Sequence, residues 1–117
     1  MEVDADELKG RLGEVVLLDV RNEGEYTGAA GYPCDARQGH IPTARHLELG
    51  RLMEAADAEE VRALVGEPEG TEVVAYCHSG GRSAVAVQIL RGAGYDARNY
   101  AGSWHEWSRH DELPLER

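Results

Sequence analysis

One strand–loop–helix stretch constrains the fold of this chain more than any other part of it. Val73–Tyr76 is a short apolar run rich in β-branched and aromatic residues, which is typical of a parallel strand covered on both faces. Gly80 and Gly81 follow, and they allow the backbone to turn sharply without a Cβ clash. The next run, Ser83–Arg91, is apolar nearly all round, which predicts a buried helix with Ser83 as its N-cap.

A cysteine, Cys77, stands where this strand ends and the loop begins. In an open α/β sheet, ligands bind at that end of the strands. Backbone N–H groups of a tight loop can converge on one point, and a helix N-terminus adds partial positive charge. With Arg82 beside it, a thiol held there should have a lowered pKa, and the thiolate is the reactive form. These residues therefore predict a nucleophilic cysteine in an anion-binding loop.

The remaining apolar runs alternate between strand and helix patterns along the chain. We expect further strands at Val15–Val20, around Arg45–Leu47 and at Tyr95–Tyr100, and helices at Asp4–Leu12, 22–26, Leu52–Ala56, Asp57–Val65 and Ser103–Trp107. Asn22 and Ser103 are the expected caps of two of these helices. Gly28–Gly39 is predicted to be a long loop that shapes the site, and Asp111–Arg117 a polar tail. This rhythm predicts an α/β fold with a parallel sheet covered on both faces, and residues 1–117 as a single domain.

The composition excludes several classes of partner. The chain has 22 acidic and 12 basic residues and a net charge of −10, which argues against nucleic acid or an anionic membrane surface. No apolar run approaches the length of a membrane span, and the acidic N-terminus lacks the features of a signal peptide, so we expect a cytoplasmic protein. Two cysteines are too few for a disulfide framework, and no Cys/His spacing resembles a zinc site, so no metal is expected.

The loop from Cys77 to Ser83 resembles the active-site loop of the rhodanese family, the sulfurtransferases. Three further blocks agree with the family and stand in its order: residues 18–28, 39–44 and 100–107. The match runs from about Val15 to the end of the chain, and the ordered set is highly specific. It is most similar to the catalytic half of the two-domain thiosulfate sulfurtransferases. The resemblance implies a compact α/β domain with a central five-stranded, mostly parallel sheet and helices on both faces. The family's first strand would fall at or before Val3, so it is short or absent here.

The resemblance also implies a two-step sulfur transfer without metal or organic cofactor. The Cys77 thiolate attacks the outer sulfur of a donor such as thiosulfate, and a thiophilic acceptor such as cyanide or a thiol, including one on a protein, then removes that sulfur from a persulfide on Cys77. The implied loop that binds substrate and persulfide consists of His78, Ser79, Gly80, Gly81, Arg82 and Ser83. At His78 and Ser79, the backbone N–H groups are expected to contribute more to this binding than the side chains do. An alternative role for the His78 side chain is proton transfer.

Several other residues carry both a structural and a functional interpretation. Asp19 and Arg21 close a buried strand, and we expect a salt bridge that braces the loop, with Glu25 as a further member; the resemblance implies that Asp19 lies close to the catalytic loop. Arg82, in the first turn of a helix, is unfavourably placed for a cation, which indicates an anion nearby. Its predicted role is to bind the anionic donor and stabilise the thiolate. His40 is expected to stabilise a turn.

Four further alternatives accompany this interpretation. Trp104 and Trp107 lie one helical turn apart and are expected in the core rather than against substrate. Cys34 is either an idle thiol or a resolving thiol that attacks a persulfide on Cys77.

Four residues separate Cys77 from Arg82, whereas the related phosphatase and arsenate reductase loops have five, so the shorter loop favours a single sulfur atom over a phosphoryl group. A non-catalytic binding or sulfur-carrier module is the other rival, and the retained cysteine and glycines argue against a non-catalytic role.

Overall fold

Four parallel strands and six helices make up the computed structural model, which describes residues 2–117. The strands are β1 (Val16–Asp19), β2 (Arg45–His46), β3 (Glu72–Tyr76) and β4 (Asp96–Asn99), and they lie in the order β2-β1-β3-β4. The helices are α1 (Ala5–Gly10), α2 (Glu23–Thr27), α3 (Leu49–Glu54), α4 (Ala58–Val65), α5 (Gly81–Gly92) and α6 (Ser103–Ser108). All neighbouring strands pair in parallel, which confirms the predicted α/β fold class. None of the helices within residues 2–117 is long and apolar enough to cross a membrane.

The sheet formed by residues 2–117 has four strands rather than the five implied by the resemblance. At the free edge of β4, Glu2 forms a single parallel bridge with Asn99, and the Val3 N–H donates to the Asn99 carbonyl at 3.0 Å. Asp4 then caps α1 by accepting from the Glu7 N–H, so the chain leaves the sheet at once. The fifth strand is thus reduced to one bridge, as expected for a strand that falls at or before Val3.

Side chains alternate along β3 between two cores, one on each face of the sheet. Val73 and Ala75 face α3, α4 and α5, whereas Val74 faces α1 and α6. Trp104 and Trp107 are fully buried in the second core, which confirms their expected structural role. Because both faces are covered, the central strands carry continuous apolar runs, and this is the pattern that the sequence displays.

Helix α5 is buried on one side only, so the prediction of a helix buried all round is wrong. Ala86, Val87 and Leu90 face the core, while Val85 is 44% exposed and Gln88 faces solvent. The helix packs on the sheet and on α3, and no element within residues 2–117 covers its outer side. Alanine and valine are therefore part of the outer surface here, and apolar composition alone did not indicate this.

The two serines predicted as helix N-caps are used differently in the structure. Gly80, in the left-handed conformation, is the N-cap of α5, so Ser83 lies inside the first turn. Helix α6 begins at Ser103 itself, which has a positive φ of 57°. Both hydroxyls are directed towards Cys77 rather than towards free helix N–H groups. The residue type was consistent with a cap, but a nearby sulfur and backbone N–H offered competing partners.

The C-terminal residues 111–117 are not the free polar tail that the sequence predicted. Leu113 is buried, and Glu116 exchanges two backbone hydrogen bonds with His40, at 2.7 and 2.9 Å. The Trp107 Nε1 donates to the Pro114 carbonyl at 2.6 Å, and the Arg117 guanidinium donates to Gly28 at 2.8 Å. This segment therefore ties α6 to the long loop after α2.

That long loop, residues 28–39, contains no helix or strand, as predicted. Arg37 anchors it by donating to the carbonyls of Trp107, Ser108 and His110 at the end of α6, at 2.7–3.3 Å. In return, the Trp104 Nε1 donates to the Arg37 carbonyl at 2.9 Å. The loop is thus held against α6 and the residues that follow this helix.

The two glycines between β3 and α5 have different structural requirements. Gly80 has a φ of +97°, and a Cβ added there would lie 2.6 Å from the Ala101 carbonyl oxygen. Gly81 is the first residue of α5, without a positive φ, and a Cβ added there would meet nothing within 4 Å. The prediction that both glycines serve the turn is therefore correct for Gly80 only.

We predict that Gly80→Ala destabilises the protein by about 2 kcal/mol or more, because left-handed backbone costs a residue with a Cβ about 1–2 kcal/mol and the backbone clash adds to it. Gly81→Ala is the matched control, and it should be neutral or stabilising by up to about 1 kcal/mol, since alanine is the better helix former. Urea unfolding of both variants measures the difference. Equal destabilisation by the two substitutions would contradict this account of the turn.

Candidate active site

Cys77 directly follows β3, and its backbone is held by the start of α6. Its N–H donates to the Ser103 hydroxyl at 3.0 Å, and its carbonyl accepts from the Trp104 N–H at 2.9 Å. Only 1% of the residue is exposed. These contacts fix the peptide groups on both sides of Cys77, so that its side chain has a defined direction into the following loop.

Three hydrogen-bond donors lie within 3.4 Å of the Cys77 sulfur, and the Ser103 hydroxyl lies farther away, at 3.9 Å. The Gly80 N–H lies 3.1 Å from Sγ, the Ser83 N–H 3.4 Å and the Ser83 hydroxyl 3.3 Å. The turn at Gly80 brings these donors to one side of the sulfur, because the chain reverses between β3 and α5. Of the N–H groups from His78 to Ser83 that were predicted to bind the sulfur, those of Gly80 and Ser83 make the close contacts, and the N–H of Ser79 adds a weaker one.

These contacts act on the ionisation of the Cys77 thiol in opposite directions. Burial raises its pKa, since a charged sulfur loses hydration. Hydrogen bonds from the Ser83 hydroxyl and from the N–H groups of Ser83, Gly80 and Ser79 lower it, and the net result is a pKa below the ordinary value. A thiolate is therefore stabilised mainly by fixed dipoles of the loop.

The Ser83 hydroxyl has one hydrogen and two acceptors. Its oxygen lies 3.3 Å from the Cys77 sulfur and 3.3 Å from the Gly80 carbonyl oxygen. A hydrogen bond to an ionised acceptor is roughly twice as strong as one between neutral groups. The hydroxyl should thus turn towards the sulfur when Cys77 is a thiolate. Ser83 is therefore a polar group that responds to the charge of the sulfur.

Arg82 pairs with an anion that belongs to the protein itself. Its guanidinium makes two parallel hydrogen bonds to the Glu25 carboxylate, at 2.8 and 2.9 Å. Burial raises the pKa of Glu25, but the hydrogen bond and charge of Arg82 outweigh it, so the pKa is lowered. The anion expected beside Arg82 is thus Glu25, although Glu25 was predicted to belong with Asp19 and Arg21.

A cleft of about 270 Å³ opens beside this ion pair. It is lined by Asn22, Glu25, Ala30, Gly31, Tyr32, Pro33 and Arg82, so its walls come from α2, the long loop and the start of α5. Arg82 retains N–H groups beyond the two that bind Glu25. The cleft is a concave surface next to the loop that carries Cys77.

Asp19 and Arg21 form the salt bridge that the sequence predicted. The shortest distance, from Arg21 Nη2 to Asp19 Oδ2, is 2.7 Å, and both side chains are buried. The Tyr76 hydroxyl donates to Asp19 at 2.6 Å and accepts from the Ile41 N–H, while Arg21 donates to the Gly39 carbonyl. This network braces the turn at residues 39–41 against β1 and β3, and the hydrogen bonds of the sulfur come from other residues.

His78 belongs to a cluster of side chains that the sequence pattern does not indicate. His78 Nε2 lies 2.9 Å and His105 Nδ1 lies 3.0 Å from the same oxygen, Oδ1 of Asp35. The His78 ring stacks on Tyr32, with ring centroids 4.0 Å apart. Cys34, an exposed free thiol, offers a donor atom to the same group, and the four donor atoms lie within 4.8 Å of one another. No local spacing relates these residues, so only the folded chain reveals the cluster.

His40 has the structural role that the sequence predicted. Its Nδ1 lies 2.8 Å from the Tyr26 carbonyl oxygen, and its ring stacks on the Tyr26 ring at 3.9 Å. Its backbone pairs with Glu116. The side chain therefore stabilises the junction of the long loop, α2 and the C-terminal segment.

Known proteins with similar sequences include two named thiosulfate sulfurtransferase and one named as a sulfur carrier protein. The thiosulfate sulfurtransferase of Pseudomonas aeruginosa is 33% identical over 119 residues, which cover 93% of this chain and 43% of that protein. The sulfur carrier protein TtuD of Thermus thermophilus is 32% identical over 92% of this chain and 43% of that protein. The chain thus spans less than half the length of both relatives.

Solved structures of the same fold superpose closely on this chain. The crystal structure of a probable thiosulfate sulfurtransferase gives a TM-score of 0.87 at 40% identity, and the match covers 99% of this chain and 47% of that one. A human single-domain sulfurtransferase gives a TM-score of 0.70 at 32% identity, with 95% of this chain and 97% of that one covered.

The resemblance drawn from the sequence motifs is confirmed at the level of the family. The sequence model of the rhodanese-like domain matches residues 4–110, which include every strand and helix described above. The matched region also contains Cys77 and the loop whose donors surround its sulfur. This chain belongs to the family of rhodanese-like domains.

Proposed function

We propose that this protein is a sulfurtransferase that carries a sulfane sulfur on Cys77, with thiosulfate as a donor and a thiol or cyanide as an acceptor. The observation that carries the proposal is the set of three hydrogen-bond donors that converge on the Cys77 sulfur in a rhodanese-like domain. A lowered pKa of Cys77 supports a thiolate nucleophile.

In the first step, the Cys77 thiolate attacks the outer sulfur of thiosulfate. The electron pair of the thiolate forms the new S–S bond, and the S–S bond of thiosulfate breaks so that its electron pair leaves with sulfite. In the second step, the acceptor attacks the outer sulfur of the persulfide, and Cys77 leaves again as a thiolate. No external oxidant or reductant is needed, because the sulfane sulfur is exchanged between nucleophiles.

The loop is suited to both states because negative charge stays within it. In the free form the charge lies on the Cys77 sulfur, and in the persulfide it shifts by one bond to the outer sulfur. Fixed N–H groups stabilise such a charge without reorganising during the reaction. Only four residues lie between Cys77 and Arg82, and this size favours a sulfur atom over a phosphoryl group.

The cleft beside Arg82 is the proposed entry for the donor. An anionic donor there can use the guanidinium N–H groups that Glu25 leaves free. Glu25 balances part of the charge of Arg82, so the attraction for the donor should be moderate. Arg82 therefore combines donor binding with a structural tie to α2.

A protein acceptor is the second candidate, and the relative named as a sulfur carrier protein supports it. In this alternative, a thiol of a partner protein, rather than a small molecule, attacks the persulfide on Cys77 and takes its outer sulfur. The first half-reaction is the same, so loading of Cys77 tests both versions, while the acceptor panel separates them.

We predict that thiosulfate without an acceptor adds one sulfur atom to the protein, and that cyanide or a reducing thiol removes it. Intact mass measurement follows both steps. Cys77→Ser should gain no sulfur atom. The control Cys34→Ser should gain one as the wild type does, because the Cys34 sulfur of the wild type accepts none of the loop hydrogen bonds that surround Cys77. Loading that depends on Cys34 would overturn the assignment, and hydrolysis of aryl phosphates without loading would favour the phosphatase rival.

We predict that Ser83→Ala shifts the pH profile of Cys77 alkylation to higher pH. A lost hydrogen bond to the thiolate leaves more of the protonated form at a given pH, and about 1.5 kcal/mol for such a bond corresponds to roughly tenfold slower alkylation below the midpoint. Ser79→Ala is the control, because it removes an exposed hydroxyl but keeps the backbone N–H. Identical profiles for Ser83→Ala and wild type would remove the hydroxyl from this role.

We predict that Arg82→Ala raises the KM for thiosulfate by about tenfold, because a charge-assisted contact to the anion is lost. The variant Glu25→Gln distinguishes the role of Arg82 in donor binding from its role in the ion pair with Glu25. It breaks the same ion pair but leaves the guanidinium, so its KM should stay near that of the wild type or fall. Steady-state kinetics at fixed ionic strength measure both, and an equal rise in KM for the two variants would mean that Arg82 acts only through Glu25.

A further inference from the structure

Four side chains of the types that bind metals, from three separate segments, meet beside the loop that carries Cys77. Cys34 and Asp35 lie in the long loop, His78 follows Cys77, and His105 lies in α6. We propose that these four residues bind a divalent transition-metal ion, with Zn²⁺ as the best match. The site goes beyond sulfur transfer and does not depend on it, since Cys77 is not one of its ligands.

The distances suit a tetrahedral ion. Zinc lies about 2.0–2.1 Å from nitrogen and about 2.3 Å from sulfur, so its ligands are roughly 3.3–3.6 Å apart. Here the two imidazole nitrogens lie 2.9 and 3.0 Å from the Asp35 oxygen, and all four donor atoms lie within 4.8 Å of one another. Small side-chain rotations therefore convert the hydrogen-bonded cluster into a coordination shell.

The donor types favour zinc over other common divalent ions. One thiolate, two imidazoles and one carboxylate form a mixed S/N/O set that suits Zn²⁺, whereas Mg²⁺ and Ca²⁺ prefer sites made of oxygen. On binding, the thiol proton of Cys34 passes to solvent and both imidazoles coordinate through unprotonated nitrogens. No redox step is involved.

Hydrogen bonds of the backbone and of the Arg37 side chain hold the three segments together before any ion binds. The His105 N–H donates to the His78 carbonyl at 3.0 Å, and the Asp35 N–H donates to the Tyr32 carbonyl at 3.0 Å. Arg37 ties the same loop to the end of α6. A site whose ligands come from elements already fixed by hydrogen bonds loses little conformational entropy on binding.

The charge balance of the cluster also favours a cation. The Asp35 side chain is 1% exposed, and among residues 2–117 its salt-bridge partners are the two imidazoles, which carry charge only when protonated. A buried carboxylate is costly unless it is paired or coordinates a metal. A divalent ion would compensate the charges of Asp35 and of the Cys34 thiolate together.

Binding would join the long loop to the catalytic loop. His78 is bonded to Cys77 in the chain, so an ion on its imidazole fixes the residue that follows the nucleophile. Tyr32 stacks on the His78 ring and also lines the cleft beside Arg82. The ion would thus hold the wall of the proposed donor cleft in place.

The test is metal titration of the reduced full chain after removal of metal with a chelator. Zinc is titrated in competition with a chromophoric chelator, and Co²⁺ serves as a spectroscopic probe of thiolate ligation and tetrahedral geometry. The Cys77→Ser background ensures that any thiolate ligand is Cys34. Ligand variants are Cys34→Ser and His105→Ala, and the control is His110→Ala, an exposed histidine outside the cluster.

We expect one Zn²⁺ per chain in the Cys77→Ser background, with a thiolate-to-cobalt charge-transfer band. Cys34→Ser should abolish that band, while His110→Ala leaves zinc binding unchanged. Loss of a partner that only supports a ligand costs roughly 10–100-fold in metal affinity, so each ligand variant should weaken zinc binding by at least that much. Circular dichroism checks that the variants are folded. Absence of stoichiometric binding would overturn the proposal, as would binding that disappears with Cys77→Ser and persists in Cys34→Ser.

Discussion

The convergence of backbone and hydroxyl donors on one buried sulfur is the interaction on which this structure depends. A charged sulfur without partners would be costly at such a depth. The left-handed conformation of Gly80 reverses the chain, and this places its own N–H and both donors of Ser83 around Cys77. From the other side, Ser103 holds the Cys77 N–H. The parallel sheet determines how deeply Cys77 is buried, and the turn at Gly80 determines from which side the donors approach its sulfur.

Charged side chains around this loop act mainly as braces. Arg82 connects the start of α5 to Glu25 in α2, and Arg21 connects the end of β1 to the turn at Gly39. Each cation is balanced by a carboxylate, so the stabilisation of a thiolate comes from nearby dipoles more than from a net positive field. This agrees with a chain whose overall charge is −10. Such braces hold the geometry on which fixed dipoles rely.

The long loop shapes the site, as its length in the sequence indicated, and the C-terminal segment supports that loop, although the segment had the sequence pattern of a polar tail. The C-terminal segment packs on α6 through Leu113 and pairs with His40. Arg37 fastens the loop to the same helix. As a result, Asp35 becomes a buried acceptor for two imidazoles. A region without regular structure thus supplies a polar cluster next to Cys77, the proposed nucleophile, and this couples the long loop to the proposed chemistry.

The sequence by itself determined the parallel α/β fold, the position of Cys77 and the requirement for a glycine in its loop. Those features depend on strand periodicity and on backbone freedom within a few neighbouring residues, so they are readable locally. Tertiary structure decided that Ser83 serves the sulfur and that Arg82 binds Glu25, 57 residues away. It also joined Asp35 to residues 43 and 70 positions later. Partners so distant in the chain leave no periodic signal, and only packing of the elements brings their side chains into contact.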